Sequence, residues 1–270
     1  MSRAGQILGQ SRKIVLKIGS NVLTGKNGSM DLSVMQDITD QVSALTREGK
    51  RVVVVSSGAQ IAGVRAISMW NRHKDINYKQ ALCAIGQVEL MLAYKSCFAK
   101  NDITVGQLLL TRHDFSGNTS MLHIRNTLFT LLDEGVVPII NENDSVGIEE
   151  FTLGDNDYLA ALTANLWSAD LLVLMSDIDG VFDHSPKERA DAKLIREVDD
   201  IARLREDIEI TGMSDYGTGG MASKIDAAEE VGRFGTPVLL VNGKQAGVLH
   251  SIAAGEETGT VFLPERRDRT

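Results

Sequence analysis

The sequence predicts an α/β fold around a mostly parallel β-sheet, and three observations carry that prediction. Short β-branched runs recur at Lys13 to Ile18, Arg51 to Ser56, Ile103 to Leu110, Val136 to Ile140, Leu171 to Met175 and Pro237 to Val241. Longer segments of helical periodicity separate most of them, as crossovers between parallel strands require. Glycine-rich and polar turns follow the first, second, fourth and fifth of these runs, and ligands of open parallel sheets bind beyond the strands' carboxyl ends, near the point where strand order reverses.

Taken in order, residues 1–12 read as an N-terminal tail, and 13–265 as a single domain. The clearest helix is Asp31 to Glu48, with Leu32, Met35, Ile38, Val42 and Leu45 on one face and Gly49 as its stop. Gln80 to Lys100, Ser120 to Asp133, Tyr158 to Ser168 and Met221 to Phe234 follow the same pattern. Ser68 to Asn77 and His113 to Thr119 are polar and irregular, which makes them candidate lids or interface segments. The run from Lys187 to Glu209 mixes both charge signs and reads as a solvated helix face or hairpin without a chemical role. No internal repeat or low-complexity linker interrupts the chain, and only four prolines occur in it, so one continuous sheet is expected.

With 43% hydrophobic residues among 270, the chain has ample material for a core, and disorder as its main state is excluded. A net charge of -8 argues against a nucleic-acid surface, which needs clustered Lys and Arg. No apolar run is read as long enough to span a bilayer, and Met1 to Ser11 lacks the apolar core of a secretion signal. A cytoplasmic location is therefore expected, with neither nucleic acid nor membrane as a partner. Cys83 and Cys97 lie within one helical pattern without CxxC spacing and read as buried free thiols.

The chemistry concentrates in a few turns. Val136 to Ile140 opens into Asn141-Glu142-Asn143-Asp144, and Gly154-Asp155-Asn156-Asp157 follows. Carboxylates and amides at the end of a buried strand are costly unless they grip something that brings positive charge or donors. Two lysines can join them. Lys17 lies near the end of the first strand and precedes Ile18-Gly19-Ser20, and Lys224 lies one turn inside a helix opened by Gly217-Thr218-Gly219-Gly220-Met221. Glycines let the backbone approach an anion, helix-start N–H groups bind it, and a helical lysine leans back toward that end. Ser57-Gly58-Ala59 and Ser176-Asp177 complete the set of strand-end turns. Neither GxxxxGK[ST] nor a GxGxxG after the first strand is present. The five histidines are scattered singly, and no residue is assigned as a metal ligand.

With Lys17-Ile18-Gly19-Ser20, Val55 to Ala59, Asn141 to Asp144, Gly154 to Asp157 and Gly217 to Met221 in this order, the chain resembles the amino-acid kinase family. The similarity runs from about Lys13 to Leu263 and is strongest to the branch that phosphorylates glutamate. The resemblance implies a three-layer αβα sandwich with a central mostly parallel sheet. It also implies an N-terminal glutamate lobe, about 13–168, and a C-terminal ATP lobe, about 169–265. The implied reaction is ATP-dependent phosphorylation of the γ-carboxylate of L-glutamate, with magnesium, as the first step of proline biosynthesis. By the same resemblance, Lys17 and Lys224 are phosphoryl clamps that also contact the nucleotide, and Asp157 orients them. Ser57, Gly58, Ala59, Asp144 and Asn156 belong to the glutamate site. Gly19, Ser176, Asp177, Thr218, Gly219, Gly220 and Met221 belong to the nucleotide site.

The attacking carboxylate, with an ordinary pKa of about 4.3, is ionised at neutral pH and needs no general base. In-line positioning and positive charge on the moving phosphoryl group suffice. Asp144 suits the substrate ammonium, whereas Glu142 and Asp155 read equally as ligand contacts and as turn acceptors. Family members often carry a C-terminal PUA domain or a fused γ-glutamyl phosphate reductase, and neither is expected within this chain. A separate reductase partner, feedback inhibition by proline and a homo-oligomer, dimer or tetramer, are further implications. The competing readings are another carboxylate kinase, acting on N-acetylglutamate or aspartate, and an inactive amino-acid or ATP sensor.

Overall fold

The computed structural model describes residues 1–67, 75–147, 156–186, 189, 191–210 and 220–264, side chains 208–210 excepted. Its strands are β1 (Lys13–Ile18), β2 (Arg51–Ser56), β3 (Val105–Leu110), β4 (Val137–Glu142), β5 (Leu171–Ser176), β6 (Val181–Phe182), β7 (Leu194–Ile195), β8 (Glu197–Val198), β9 (Val238–Asn242) and β10 (Thr260–Phe262). The helices are α1 (Arg3–Gln10), α2 (Leu32–Arg47), α3 (Ala59–Ile67), α4 (Ile76–Ala99), α5 (Asn118–Asp133), α6 (Asn156–Trp167), α7 (Ile201–Ile210), α8 (Gly220–Gly232) and α9 (Val248–Ala253).

Eight strands form one sheet in the order β3-β4-β2-β1-β5-β9-β10-β8. Neighbours pair in parallel except β9 with β10, which run antiparallel. The chain leaves β1 toward β2 on one side and later returns to lay β5 on its other side. Strand order therefore reverses at β1 and β5, the crevice in which ligands of such sheets bind.

Strand alternation sends successive side chains to opposite faces. Ile14, Leu16 and Ile18 pack with α2 and α4 residues such as Met35, Ile38, Leu90 and Phe98. Val15 joins the other face, with Leu159, Ala160 and Trp167 of α6 and Ile225 and Ala228 of α8. Two apolar layers on one sheet give the αβα sandwich. Lys17 shares the parity of Val15, so β1 aims it at the α6 and α8 layer. Helix α2 starts where Asp31 accepts from the Ser33 and Val34 N–H groups. Those bonds, that with the Ser33 hydroxyl foremost, hold the Asp31 carboxyl below its ordinary pKa.

Several expectations need correction. The stretch read as a tail contains α1, capped by Ser2, with Ala4 and Leu8 buried in the core. It lies so close to α9 that a Cβ on Gly5 would come 2.6 Å from the Ile252 carbonyl oxygen. Two glycines weaken its intrinsic helicity, so tertiary packing sustains a segment too short to declare itself by periodicity. Helix α4 is long and apolar enough to cross a bilayer by length and composition, contrary to the reading of the sequence. Its Leu82, Leu90, Tyr94 and Phe98 are buried within the fold.

The charge-rich run supplies α7, strand β7 of a small hairpin with β6, and edge strand β8 of the main sheet. His113 to Thr119 forms a 3-10 turn at Arg112–Phe115 and the start of α5, with Thr111 bonded to Asp114 through N–H and hydroxyl at 2.7 and 2.9 Å. Most of Ser68 to Asn77 lies outside the described residues, and its last part belongs to the capped start of α4.

Candidate active site

A lysine ending a strand inside a sheet is an expensive residue. Lys17 is 1% exposed, and an isolated buried ammonium would give up its proton rather than stay charged. Its partner is Asp157, itself fully buried on the first turn of α6, with Lys17 Nζ 2.6 Å from Oδ1. Lys224 of α8 approaches Oδ2 of the same carboxylate at 3.0 Å. The Ser223 hydroxyl donates to that oxygen at 2.9 Å, and Lys224 Nζ also donates to the Gly220 carbonyl at 2.7 Å. Lys224 thus reaches back one turn to the start of its helix, as side-chain direction in helices dictates.

Two ammonium groups share one carboxylate, so the cluster carries one net positive charge in a water-poor setting. Such a site favours an anion that spreads negative charge over several oxygens. Gly19 borders it: a Cβ there would lie 3.7 Å from Lys17 Nζ and 3.3 Å from the Met175 carbonyl. Ser176 is buried at the end of β5, and the exposed Asp177 accepts from Asn21 Nδ2 at 3.1 Å. Gly220 opens α8 in an exposed position, whereas the Met221 side chain is packed into the core and has only its backbone to give a ligand. Thr218 and Gly219 lie outside the described residues, as do Gly154 and Asp155.

Beside the cluster is a buried set of amides. Asn156, next to Asp157, donates from Nδ2 to the Ser56 carbonyl at 2.6 Å, to Asn141 Oδ1 at 2.7 Å and to Ser57 Oγ at 3.2 Å. Asn141 passes the chain on, donating from Nδ2 to Gln87 Oε1 at 2.8 Å. The turn carrying Ser57 is fixed from behind. Ser56 Oγ donates its one proton to the Ser57 carbonyl, so the buried Tyr94 hydroxyl is the donor in its 2.7 Å bond with Ser56. Gly58 has φ of 105°, a region that L side chains avoid, which explains the glycine between β2 and α3. Ala59 begins α3 and is buried.

Asp144, two residues beyond the end of β4, is 7% exposed, and its Oδ1 has no partner among the described residues. Glu142 is half-buried and donates its N–H to Asn141 Oδ1 at 2.9 Å.

The fold thus brings Lys17, Asp157 and Lys224 into direct contact and joins Asn156 to Ser57. Gln87 escaped the sequence reading. Its one signal is a polar residue at a buried position in an otherwise apolar stretch of α4. Gly63 and Gly86 escaped too. A Cβ on Gly63 would fall 2.0 Å from the Leu82 carbonyl oxygen and one on Gly86 1.7 Å from that of Ala59, so both glycines let α3 and α4 touch backbone to backbone. That contact fixes the Ser57 to Ala59 turn against the amide set.

The family model described as "Amino acid kinase family" matches residues 12–242. The chain belongs to the amino acid kinase family. Its relatives include the glutamate 5-kinase of Alkaliphilus metalliredigens (strain QYMF), 52% identical over 95% of this chain and 97% of the relative. The glutamate 5-kinase of Alkaliphilus oremlandii (strain OhILAs) is 51% identical over 96% and 98%. That of Geobacter metallireducens is 45% identical over 96% of this chain but 70% of its own length. Among solved structures, the UMP kinase from Bacillus anthracis superposes with a TM-score of 0.65 at 17% identity, covering 94% of this chain and 96% of that one. The isopentenyl phosphate kinase of T. acidophilum does so with a TM-score of 0.56 at 18% identity, covering 93% and 99%. These two share the fold of the family, as expected for an αβα sandwich of this strand order.

Proposed function

We propose that this protein is a kinase that transfers the γ-phosphoryl group of ATP to the γ-carboxylate of L-glutamate, giving L-glutamyl 5-phosphate and ADP, the first step of proline biosynthesis. The observation that carries the reading is the buried Lys17, Asp157, Lys224 cluster, whose net positive charge suits a moving phosphoryl group, in a chain whose near-full-length relatives are named glutamate 5-kinases.

In this reading an oxygen of the ionised γ-carboxylate attacks the γ-phosphorus in line, and the bond from that phosphorus to the bridging oxygen breaks, releasing ADP. Lys17 and Lys224 neutralise charge on the equatorial and leaving oxygens, and Asp157 keeps both ammonium groups charged and aimed. Both oxygens of Asp157 are taken by lysines, so magnesium would enter on the triphosphate with much of its water shell, its usual mode with nucleotides. Ser57, Gly58, Ala59, Asp144 and Asn156 would form the glutamate side of the crevice. Gly19, Ser176, Asp177 and Thr218 to Met221 would form the nucleotide side. The proposed lobes meet there, 13–168 and 169–265.

The product is a labile acyl phosphate, which makes a γ-glutamyl phosphate reductase the proposed partner. Feedback inhibition by proline, a homo-oligomeric state and a cytoplasmic location complete the proposal. The test is ADP release with ATP and magnesium in the presence of hydroxylamine, comparing L-glutamate, N-acetyl-L-glutamate and L-aspartate. Hydroxamate from L-glutamate alone is the expected result. Hydroxamate from another acid would move the substrate within the family, and none from any acid would favour a sensor.

A further inference from the structure

The direction of every hydrogen bond in the buried amide chain is fixed by backbone groups. A carbonyl only accepts, so the Asn156 atom 2.6 Å from the Ser56 oxygen is its Nδ2. An N–H only donates, so the Asn141 atom 2.9 Å from the Glu142 nitrogen is its Oδ1. Asn141 must then offer Nδ2 to Gln87, which answers with Oε1 at 2.8 Å. The amide orientations are thereby settled by their neighbours rather than by choice. What remains is a donor, Gln87 Nε2, at one end and an acceptor, Asn156 Oδ1, at the other, both buried and without a partner among the described residues. Asp144 Oδ1 is a further buried acceptor in the same state.

Orphaned buried polar atoms are costly, and two at the ends of one hydrogen-bonded chain, with a third on the turn that follows β4, call for a ligand with complementary groups. A carboxylate fits the donor, and an ammonium fits the acceptors. The chain also has a direction relative to the chemistry. Asn156 adjoins Asp157 and the lysines, whereas Gln87 lies two amides farther off, at the end remote from phosphoryl transfer.

We propose that Gln87 determines substrate specificity by donating from Nε2 to the α-carboxylate of the acid substrate, while Asn156 Oδ1 and Asp144 take its ammonium. The inference rests on the glutamate reading above, and it adds the residue that distinguishes an α-amino acid from an amine lacking the α-carboxylate.

The experiment uses the full chain with ATP, magnesium and hydroxylamine, and compares L-glutamate with γ-aminobutyrate, which keeps the ammonium and the reacting carboxylate but lacks the α-carboxylate. Wild-type protein prefers L-glutamate strongly in kcat/KM. In Gln87→Ala that preference shrinks roughly ten- to hundredfold, the loss expected for a hydrogen bond to a charged group. Gln87→Glu retains the acceptor that Asn141 needs and so keeps the chain intact. It raises KM for L-glutamate by a similar factor, leaves KM for ATP within about twofold, and improves isoglutamine, whose α-carboxamide can donate, relative to L-glutamate. A purely structural Gln87 would weaken both substrates equally, and an unchanged preference in both variants overturns the proposal. So does wild-type protein that uses γ-aminobutyrate as well as L-glutamate, whatever the variants do. Absence of wild-type hydroxamate from L-glutamate overturns the glutamate reading and the inference together, whereas activity with an unchanged preference overturns the inference alone.

Discussion

Replacing Asp157 by Asn keeps the shape of the side chain and removes its charge. In the native protein that carboxylate holds Lys17 at 2.6 Å and Lys224 at 3.0 Å, with lysine side chains only 1% and 6% exposed, so solvent does little to screen the loss. Removing one partner of a buried ion pair costs about 3–5 kcal/mol. The two pairs share one carboxylate and their losses do not add. Lys224 keeps its bond to the Gly220 carbonyl, and the Ser223 hydroxyl can still donate to the Asn oxygen, which points to the lower end, about 3 kcal/mol. For a chain of this size about 2–4 °C accompanies each kcal/mol, so the expected fall in Tm is roughly 6–12 °C.

The sign of the uncompensated charge makes a second, independent demand. Without Asp157 an anion is the counter-ion that lets both lysines stay charged, whereas the native cluster already holds one carboxylate, so saturating pyrophosphate or ATP should raise the Tm of Asp157→Asn by more than that of wild type. Thermal unfolding followed by circular dichroism, with and without the anion, measures both effects. A variant melting within about 2 °C of wild type, or one that gains no more from the anion, would refute the account of Asp157 as the counter-ion of both lysines.

Lys17→Ala and Lys224→Ala should each lower turnover by roughly a thousandfold or more in the hydroxamate assay, the order seen when a cationic clamp on a phosphoryl group is lost; near-normal turnover in either would sink the proposed mechanism. Gly86→Ala would put a methyl 1.7 Å from the Ala59 carbonyl oxygen and 2.3 Å from the Gly63 nitrogen, backbone atoms that cannot swing aside. Its cost should reach the upper end of the about 1–3 kcal/mol typical of overpacking, measured by urea denaturation. Burial raises the Tyr94 hydroxyl above its ordinary pKa. The stability this contributes is complete below about pH 10 and is lost as the pH rises further, because the unfolded chain releases that proton first. Tyr94→Phe should therefore show a shallower alkaline loss of stability than wild type, and parallel curves would contradict the assignment.

Much of the architecture was legible because periodicity reports burial directly. Strands β1 and β2 match their apolar runs residue for residue, and α2 differs from its expected span only at the ends. Strand β10 and edge strand β8, of three and two residues, are too short to show a period, and α1 owes its helix to α9. At the site, the polar motifs stood out because carboxylates, amides and lysines beside apolar strands are costly without partners, and a single chain shows that cost in its spelling. Gln87 and the glycine pair at 63 and 86 did not stand out. Each is explained by an atom far away in sequence, Asn141 for the first and the facing helix backbone for the others.

The sequence by itself determined the parallel α/β layering, the residues rich in chemistry and the carboxyl-end edge on which they gather, since all of these follow from local pattern and strand direction. Only the tertiary structure decided that Lys17 and Lys224 share one carboxylate, and that the amide chain runs from Ser56 to Gln87 with a donor at one end and an acceptor at the other. Those relations join positions from 15 to more than 100 residues apart. Pairing over such separations depends on how layers stack and on which face a strand turns inward, and local sequence carries no direct record of either.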